Sequence, residues 1–456
     1  MDIFKAYDIR GEYPNELDEE TVRKIGACFV PLLKARNIAV GHDMRISSPN
    51  LASAFIDGAV SSGASVTDMG MVTTPHFYFE QIEGGFDAGA MITASHLPSE
   101  MNGLKLVSRD AVPLSSDQGL PELKQMTREG SCPPAGKALE RGNVKQGKEL
   151  DNYINRISGF VHEPVEMNIV VDGGNGAVGP ELELLFKRFP MWNVTTLCME
   201  PDGSFPNHVA NPLIPANTED LQRKVTETKA GVGIAFDGDA DRCGFVDENG
   251  DRIREDLVTA LIAEFFLYRQ PGSKILYDLR SSRTVPETIK RLGGVPVRSR
   301  VGHSFIKELM RREGAVFAGE LSGHYYYKDM GYTDNALLTM VHMLNYLAYK
   351  GQPLSEIMEH LQIYSATGEI NMTVSDPKAI FAALKQRYRN AGQDCLDGLT
   401  VTYNTWWFNL RLSNTEPLMR LNLEAENLML MNTKRQEVVS IISKADPKMQ
   451  MEPESR

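Results

Sequence analysis

Four short polar segments, each following an apolar run, hold most of the side chains equipped for chemistry. They are Thr93-Ala94-Ser95-His96, Asp237-Gly238-Asp239-Ala240-Asp241-Arg242, Gly319-Glu320-Leu321-Ser322-Gly323-His324 and Arg411-Leu412-Ser413-Asn414-Thr415-Glu416-Pro417. A hydroxyl, a carboxylate cluster, an acid with an imidazole and an anion-binding loop are the parts of a phosphoryl-transfer site. They fall roughly one per quarter of the chain, so separate modules must bring them together.

Ser95 follows Ala88-Gly89-Ala90-Met91-Ile92, a predicted strand, and at a strand end its hydroxyl can carry a phosphoryl group. In an extended segment the side chains of Ser95 and His96 point apart, which argues against a simple Ser–His triad. Lys105 supplies a cation a few residues on. Asp237, Asp239 and Asp241 repel one another unless a cation sits among them, and hard oxygen ligands suit Mg²⁺. An EF-hand loop also begins Asp-x-Asp-x-Asp, and Glu248 even falls at its twelfth position, but Arg242 stands where that loop needs glycine. A haloacid-dehalogenase-type phosphatase with Asp237 as nucleophile is a rival, although that family places Thr or Val where Asp241 stands. A sugar-phosphate-binding regulator without catalysis is another. Glu320 and His324 suit sugar hydroxyls or acid–base work. Arg411, Ser413, Asn414, Thr415 and Arg420 suit a phosphate dianion, which arginine binds bidentately. Tyr7 and Arg10 near the N-terminus, Arg280 beside Ser281, and His303 after Gly302 are further lining candidates.

The elements that must position these groups alternate. A strand is predicted at 38–40. Ser48-Pro49 then looks like a helix start with proline at the first position, and Leu51, Phe55 and Ala59 share one helix face. Strands follow at 65–68, 168–172, 274–278 and 315–317, the second turned into a helix by Gly173-Gly174-Asn175-Gly176. Strands alternating with helices imply a mostly parallel sheet, and ligands bind outside the carboxyl ends of such strands. From 365 the pattern changes to an α+β module. Asp376-Pro377 caps a helix, strands are predicted at 399–403, 406–412 and 419–423, and a last helix at 433–443. The segment 127–148 reads as a connection and the tail from Pro447 as disordered.

A chain of 456 residues suggests about three to four domains. Its net charge of −12 argues against nucleic acid as a partner. The most apolar helix-like run, 257–268, is too short to span a bilayer, and no signal peptide is expected at the start. Five scattered cysteines form no zinc or redox motif, which points to reduced thiols and a cytoplasmic setting.

Taken in order, these segments resemble the α-D-phosphohexomutase superfamily, of the bacterial phosphomannomutase/phosphoglucomutase type, over nearly the whole chain. The phosphoserine loop Thr-Ala-Ser-His-Asn-Pro is matched by Thr93 to Pro98 with Leu97 in place of Asn, and its downstream Asn-Gly-x-Lys by Asn102, Gly103 and Lys105. The metal loop is matched in full by Asp237 to Arg242. The sugar loop is matched with Leu321 in place of Met, the phosphate loop by Arg411 to Pro417, and the entry segment by Ala6 to Gly11. The resemblance implies three related α/β domains with mixed sheets (1–150, 151–251 and 252–365) and a C-terminal α+β domain (366–456) around a central cleft.

It also implies interconversion of mannose 6-phosphate and mannose 1-phosphate through a phosphoserine and a bisphosphorylated sugar, with glucose phosphates as further substrates. That places the chain in carbohydrate metabolism feeding nucleotide sugars. Ser95 would carry the phosphoryl group, and with Asp237, Asp239 and Asp241 hold Mg²⁺. His96, Lys105, Arg10, Arg242 and His324 would surround the reacting group. Tyr7, Arg280, His303, Glu320, Ser322 and His324 would bind the sugar, and Arg411, Ser413, Asn414, Thr415 and Arg420 the distal phosphate. A sugar bisphosphate is the expected activator, and a monomer or homodimer the expected state.

Overall fold

The computed structural model describes residues 3–130, 141–147, 150–162, 164–413 and 418–452. Short, nearly uninterrupted apolar runs such as Ala88–Ile92 and Val232–Phe236 are buried along their whole length. Strands of that kind belong in sheets covered on both faces. In the first sheet Asn37–His42 runs between Ser65–Met71 and Ala88–Ile92, parallel to both, and Met101–Ser108 returns antiparallel beside Ala88–Ile92. The second sheet repeats the plan, with Met167–Asp172 between Trp192–Leu197 and Val232–Phe236, and Cys243–Asp247 returning. So does the third, with Lys274–Asp278 between Val295–Ser299 and Phe317–Gly319, and Tyr325–Tyr327 returning. The strand-then-polar-loop plan of the sequence is therefore a threefold structural repeat of mixed sheets.

Helices cover these sheets. Glu19–Leu33 and Ser48–Ser61 lie against one another. They approach so closely that a Cβ on Gly58 would lie 2.0 Å from the Arg23 carbonyl oxygen, so only glycine fits there. Ser48 does not cap its helix. Its hydroxyl turns to Asp43, and the strand expected at 315–317 forms two residues later, at Phe317–Gly319.

The fourth sheet is antiparallel throughout, in the order Gly392–Asp394, Leu399–Thr402, Trp406–Leu412, Met419–Ala425, Ser365–Thr373, Gln450–Met451. Helices Pro377–Arg387 and Leu428–Ala445 bury Ile380, Leu384, Val438 and Ile442 with Phe408, Leu410 and Leu421 of the sheet. Asp376 caps the first, accepting the Ala379 N–H at 3.0 Å. The tail departs from the expected disorder as far as Glu452, because the open edge at Met372 and Thr373 recruits Gln450–Met451. The expectation of five reduced thiols is corrected at Cys28, which is disulfide-bonded, a pairing that sequence spacing cannot disclose. Cys198, Cys243 and Cys395 are free. Among the described residues no helix is long and apolar enough to cross a membrane.

In each of the first three units the loop between the third parallel strand and its antiparallel return carries a polar segment. The fourth segment joins Trp406–Leu412 to Met419–Ala425. The first three segments, with Arg411 and Ser413 of the fourth, open on one cleft.

Candidate active site

The cleft encloses ≈ 830 Å³ and is lined from all four units: Tyr7, Arg10 and His96; Arg242; Arg280, His303, Glu320, Ser322 and His324; Arg411, Ser413 and Arg420. Ser95, Lys105, Asp237, Asp239 and Asp241 are buried immediately behind this lining.

Ser95 takes up φ 52°, a left-handed conformation that turns the chain at the strand end. The extended geometry expected there does not form, and the side chains of Ser95 and His96 converge. Ser95 Oγ lies 3.1 Å from His96 Nδ1 and donates to Asp237 Oδ2 at 2.8 Å. With the hydroxyl proton directed to Asp237, the Nδ1–H of His96 is the matching donor to Oγ. Burial, with Arg242 and Arg10 nearby, holds His96 well below the usual imidazole range, so the ring is neutral at pH 7. The turn is fixed from behind by Arg45. Its guanidinium donates to the carbonyl oxygens of Ser95 at 2.8 Å, Leu97 at 2.6 Å, Pro98 at 2.6 Å and Met101 at 3.0 Å.

The carboxylates of Asp237, Asp239 and Asp241 offer oxygens within 4.8 Å of one another. Lys105 Nζ lies 2.6 Å from Asp239 Oδ2 and also pairs with Asp241 Oδ2, and Thr74 Oγ1 donates to Asp239 Oδ2 at 2.6 Å. Burial opposes the charge on Lys105, but Asp239 and Asp241 outweigh it and raise the ammonium well above its ordinary range. Burial, with Asp241 and Asp239 alongside, pushes Asp237 well up. Asp239 Oδ1 and Asp241 Oδ1 are buried and accept no hydrogen bond. Three carboxylates this close together, two of them with an oxygen that accepts no hydrogen bond, fit a divalent metal with oxygen ligands.

Arg242 Nε donates to His324 Nε2 at 3.2 Å, so the remaining ring proton sits on Nδ1 and is given to Ser322 Oγ at 2.9 Å. Glu320 accepts the Gly302 N–H at 3.0 Å and the Tyr326 hydroxyl at 2.6 Å. Tyr7 packs edge-on against His303, with ring centroids 5.5 Å apart. Arg280, Arg411 and Arg420 gather around one carboxylate, Glu369, at 3.1 to 3.3 Å. That cluster spans the third and fourth units and can receive an anion.

The structure therefore brings all the described candidates into one region. Asn414 and Thr415 lie outside the described residues. Sequence reasoning missed Arg45, Thr74, Asp278, Tyr326 and Glu369. Asp278 had a signal, an acid ending a buried strand two residues before Arg280. Arg45 had the same signal in Asp43-x-Arg45, whereas Thr74, Tyr326 and Glu369 act through tertiary contacts that leave no local pattern.

Four family models match the chain in succession. Phosphoglucomutase/phosphomannomutase alpha/beta/alpha domains I, II and III match residues 1–131, 151–250 and 254–364, and the C-terminal domain matches 369–440. A phosphomannomutase of Escherichia coli is 38% identical over 453 residues, covering 97% of this chain and 99% of its own. One of Methanocaldococcus jannaschii is 39% identical over 449 residues, with 97% and 98% covered. A crystal structure of a phosphoglucomutase/phosphomannomutase family protein from Burkholderia thailandensis superposes with a TM-score of 0.90 at 33% identity, covering 98% of each chain.

Proposed function

Because the chain belongs to the phosphoglucomutase/phosphomannomutase family, we propose that it interconverts mannose 6-phosphate and mannose 1-phosphate, with glucose phosphates as further substrates. The route is a phosphoserine at Ser95 and a bisphosphorylated sugar. The observation that carries this reading is the 2.8 Å contact of Ser95 Oγ with Asp237, which sets the hydroxyl of one unit among the carboxylates of the next.

A sugar hydroxyl attacks the phosphorus on Ser95. The bond from phosphorus to Oγ breaks as the bond to the sugar oxygen forms, and the hydroxyl proton leaves to a base in the cleft. His96 Nδ1–H donates a hydrogen bond to the departing Oγ, which takes up the proton that the base removed from the sugar hydroxyl. Arg10, Arg242 and Lys105 offset the charge on the reacting group. Glu320 and Ser322 hold sugar hydroxyls, with His324 fixed between Arg242 and Ser322, and Tyr7 and His303 form the wall. Arg280, Arg411, Ser413, Asn414, Thr415 and Arg420 grip the phosphate that is not reacting. The bisphosphate then turns end for end, and its other phosphate returns to Ser95. Held by Asp237, Asp239, Asp241 and Ser95, Mg²⁺ would supply electrostatic stabilisation of the phosphoryl oxygens.

A sugar bisphosphate serves as activator by loading Ser95. The same reading divides the chain at 1–150, 151–251, 252–365 and 366–456, and puts a monomer or homodimer in the cytoplasm.

The test is where labelled phosphate lodges after incubation with a radiolabelled hexose bisphosphate. The expected product is a hydroxylamine-resistant ester, absent in Ser95→Ala together with mutase turnover. A hydroxylamine-labile acyl phosphate would instead identify Asp237 as the nucleophile of a phosphatase, and undiminished turnover in Ser95→Ala would end the assignment.

A further inference from the structure

The three repeated central strands end on the same device, and the second unit departs from it. Asp43, Asp172 and Asp278 each accept, through Oδ1, the backbone N–H two residues on: Arg45 at 3.0 Å, Gly174 at 2.8 Å and Arg280 at 2.7 Å. In the first and third units that residue also folds its guanidinium back onto the carboxylate. Arg45 Nε lies 3.1 Å from Asp43 Oδ2, and Arg280 Nη2 lies 2.7 Å from Asp278 Oδ2. Gly174 has no side chain to do this. Asp172, 1% exposed, meets His208 Nε2 through Oδ2 at 3.1 Å instead, and Cys198 Sγ approaches the same nitrogen at 4.0 Å.

We propose that Asp172, Cys198 and His208 form a second cation site, apart from the Asp237–Asp241 loop, that takes a divalent ion of Zn²⁺ class. Oxygen, nitrogen and sulfur donors lie within 4.8 Å of one another. Thiolate and imidazole exclude Mg²⁺ and Ca²⁺ as the preferred ions and suit Zn²⁺. Ligands about 2.0–2.3 Å from a tetrahedral ion stand roughly 3.3–3.6 Å apart, so small movements convert this trio into a ligand set with water in the fourth place.

The surrounding groups already orient the donors. His208 Nδ1 lies 3.0 Å from the Val209 carbonyl oxygen, and a proton shared there leaves Nε2 to face Asp172 and Cys198. The Gly174 N–H fixes the Asp172 carboxylate. Binding a dication displaces the protons held at Sγ and Nε2 into solvent.

The site would also staple a long loop. Residues 198–214 run without regular structure from the end of Trp192–Leu197. Phe205 in that loop lies against the Arg45 guanidinium, 5.2 Å from Cζ to ring centroid. Arg45 in turn holds the carbonyls of the Ser95 turn. A cation at His208 therefore stiffens the support of the reactive serine without touching it.

The experiment is a Co²⁺ titration of the full chain after chelator treatment, followed by thiolate-to-cobalt charge-transfer absorption. One equivalent is expected to develop the band in the wild type and in Asp237→Asn. The band is expected to be lost in Cys198→Ser and His208→Ala, and to be displaced by Zn²⁺. Absence of the band, or its persistence in Cys198→Ser, overturns the proposal. A second measurement needs no variant: stoichiometric Zn²⁺ should slow alkylation of Cys198 by iodoacetamide at least tenfold, and an unchanged rate overturns the proposal equally. Neither readout depends on mutase turnover.

Discussion

Replacing Glu369 by glutamine should cost the fold up to about 3 kcal/mol at pH 7. Glu369 Oε2 lies 3.3 Å from Arg280 Nη1 and from Arg411 Nη2, and Oε1 lies 3.1 Å from Arg420 Nη1. Burial opposes ionisation of this carboxyl, but the three arginines outweigh it and hold it at about 2 against an ordinary 4.5. That difference corresponds to about 3 kcal/mol, and the 22% exposure of the side chain makes it an upper figure. The carboxyl is depressed in the folded state, so its stabilisation is complete above about pH 4.5 and is lost as pH falls towards about 2.

Glutamine keeps the shape and removes the charge, so the advantage of the wild type should shrink over that window. Urea denaturation followed by tryptophan fluorescence isolates the effect. Trp406 and Trp407 lie in the fourth sheet, and the third tryptophan, Trp192, can be changed to Phe in both proteins. Inorganic phosphate should restore Glu369→Gln more than it stabilises the parent, because a dianion takes up the arginines that the carboxylate releases. A difference at pH 7 below about 1 kcal/mol, or one that persists undiminished at pH 3, would refute the view that Glu369 holds this cluster together.

Three further perturbations test the supports of the cleft. Arg45→Lys keeps the charge but loses the fork that holds the Ser95 turn, so kcat on mannose 1-phosphate should fall roughly 10- to 100-fold, with the melting temperature within a few degrees of the parent. Lys307→Met removes the buried partner of Asp334, 3.1 Å away, and should cost about 3–5 kcal/mol by thermal denaturation. The double change Lys307→Met with Asp334→Leu should recover most of that loss. Gly302→Ala puts a Cβ 2.7 Å from the Tyr7 ring at φ 129°, and steady-state kinetics should show a raised KM for the sugar phosphate alongside about 1–3 kcal/mol of strain.

Much of this fold is legible in the sequence because its strands are short and buried on both faces. Ala88–Ile92, Val232–Phe236 and Trp406–Leu412 coincide with the apolar runs that announce them. The helix at Leu428–Ala445 begins earlier than its apolar period suggests, because Asn427 caps it through the Leu430 N–H. Residue types at the site are legible, but their conformations are not. Nothing local predicts a left-handed Ser95, and with it fails the inference that Ser95 and His96 diverge. Glu369 leaves no signal either. Its meaning arises only when a strand of the fourth unit lies beside Arg280 of the third. The strand-end aspartates are legible in two units, as Asp43-x-Arg45 and Asp278-x-Arg280. The second unit hides the repeat because Gly174 breaks the pattern and His208 comes from a distant loop.

The repeat explains why the chemistry is divided among units. One topological position, the loop after the third parallel strand, carries a hydroxyl in the first unit, three carboxylates in the second, and an acid with an imidazole in the third. No unit holds a complete set, so the site exists only where the units meet. The first two are locked together by buried polar contacts: Ser95 with Asp237 at 2.8 Å, Thr74 with Asp239 at 2.6 Å, and Thr73 and His76 with Glu181 at 2.9 and 3.1 Å. Breaking any one strands a buried polar group, at about 1–3 kcal/mol each. The cleft edge of the fourth unit is held instead by Glu369 among arginines, a contact that an arriving phosphate dianion can replace with equivalent charge. Rigid geometry is thus concentrated where the phosphoryl group moves, and exchangeable charge where the distal end of the substrate must be taken up and released.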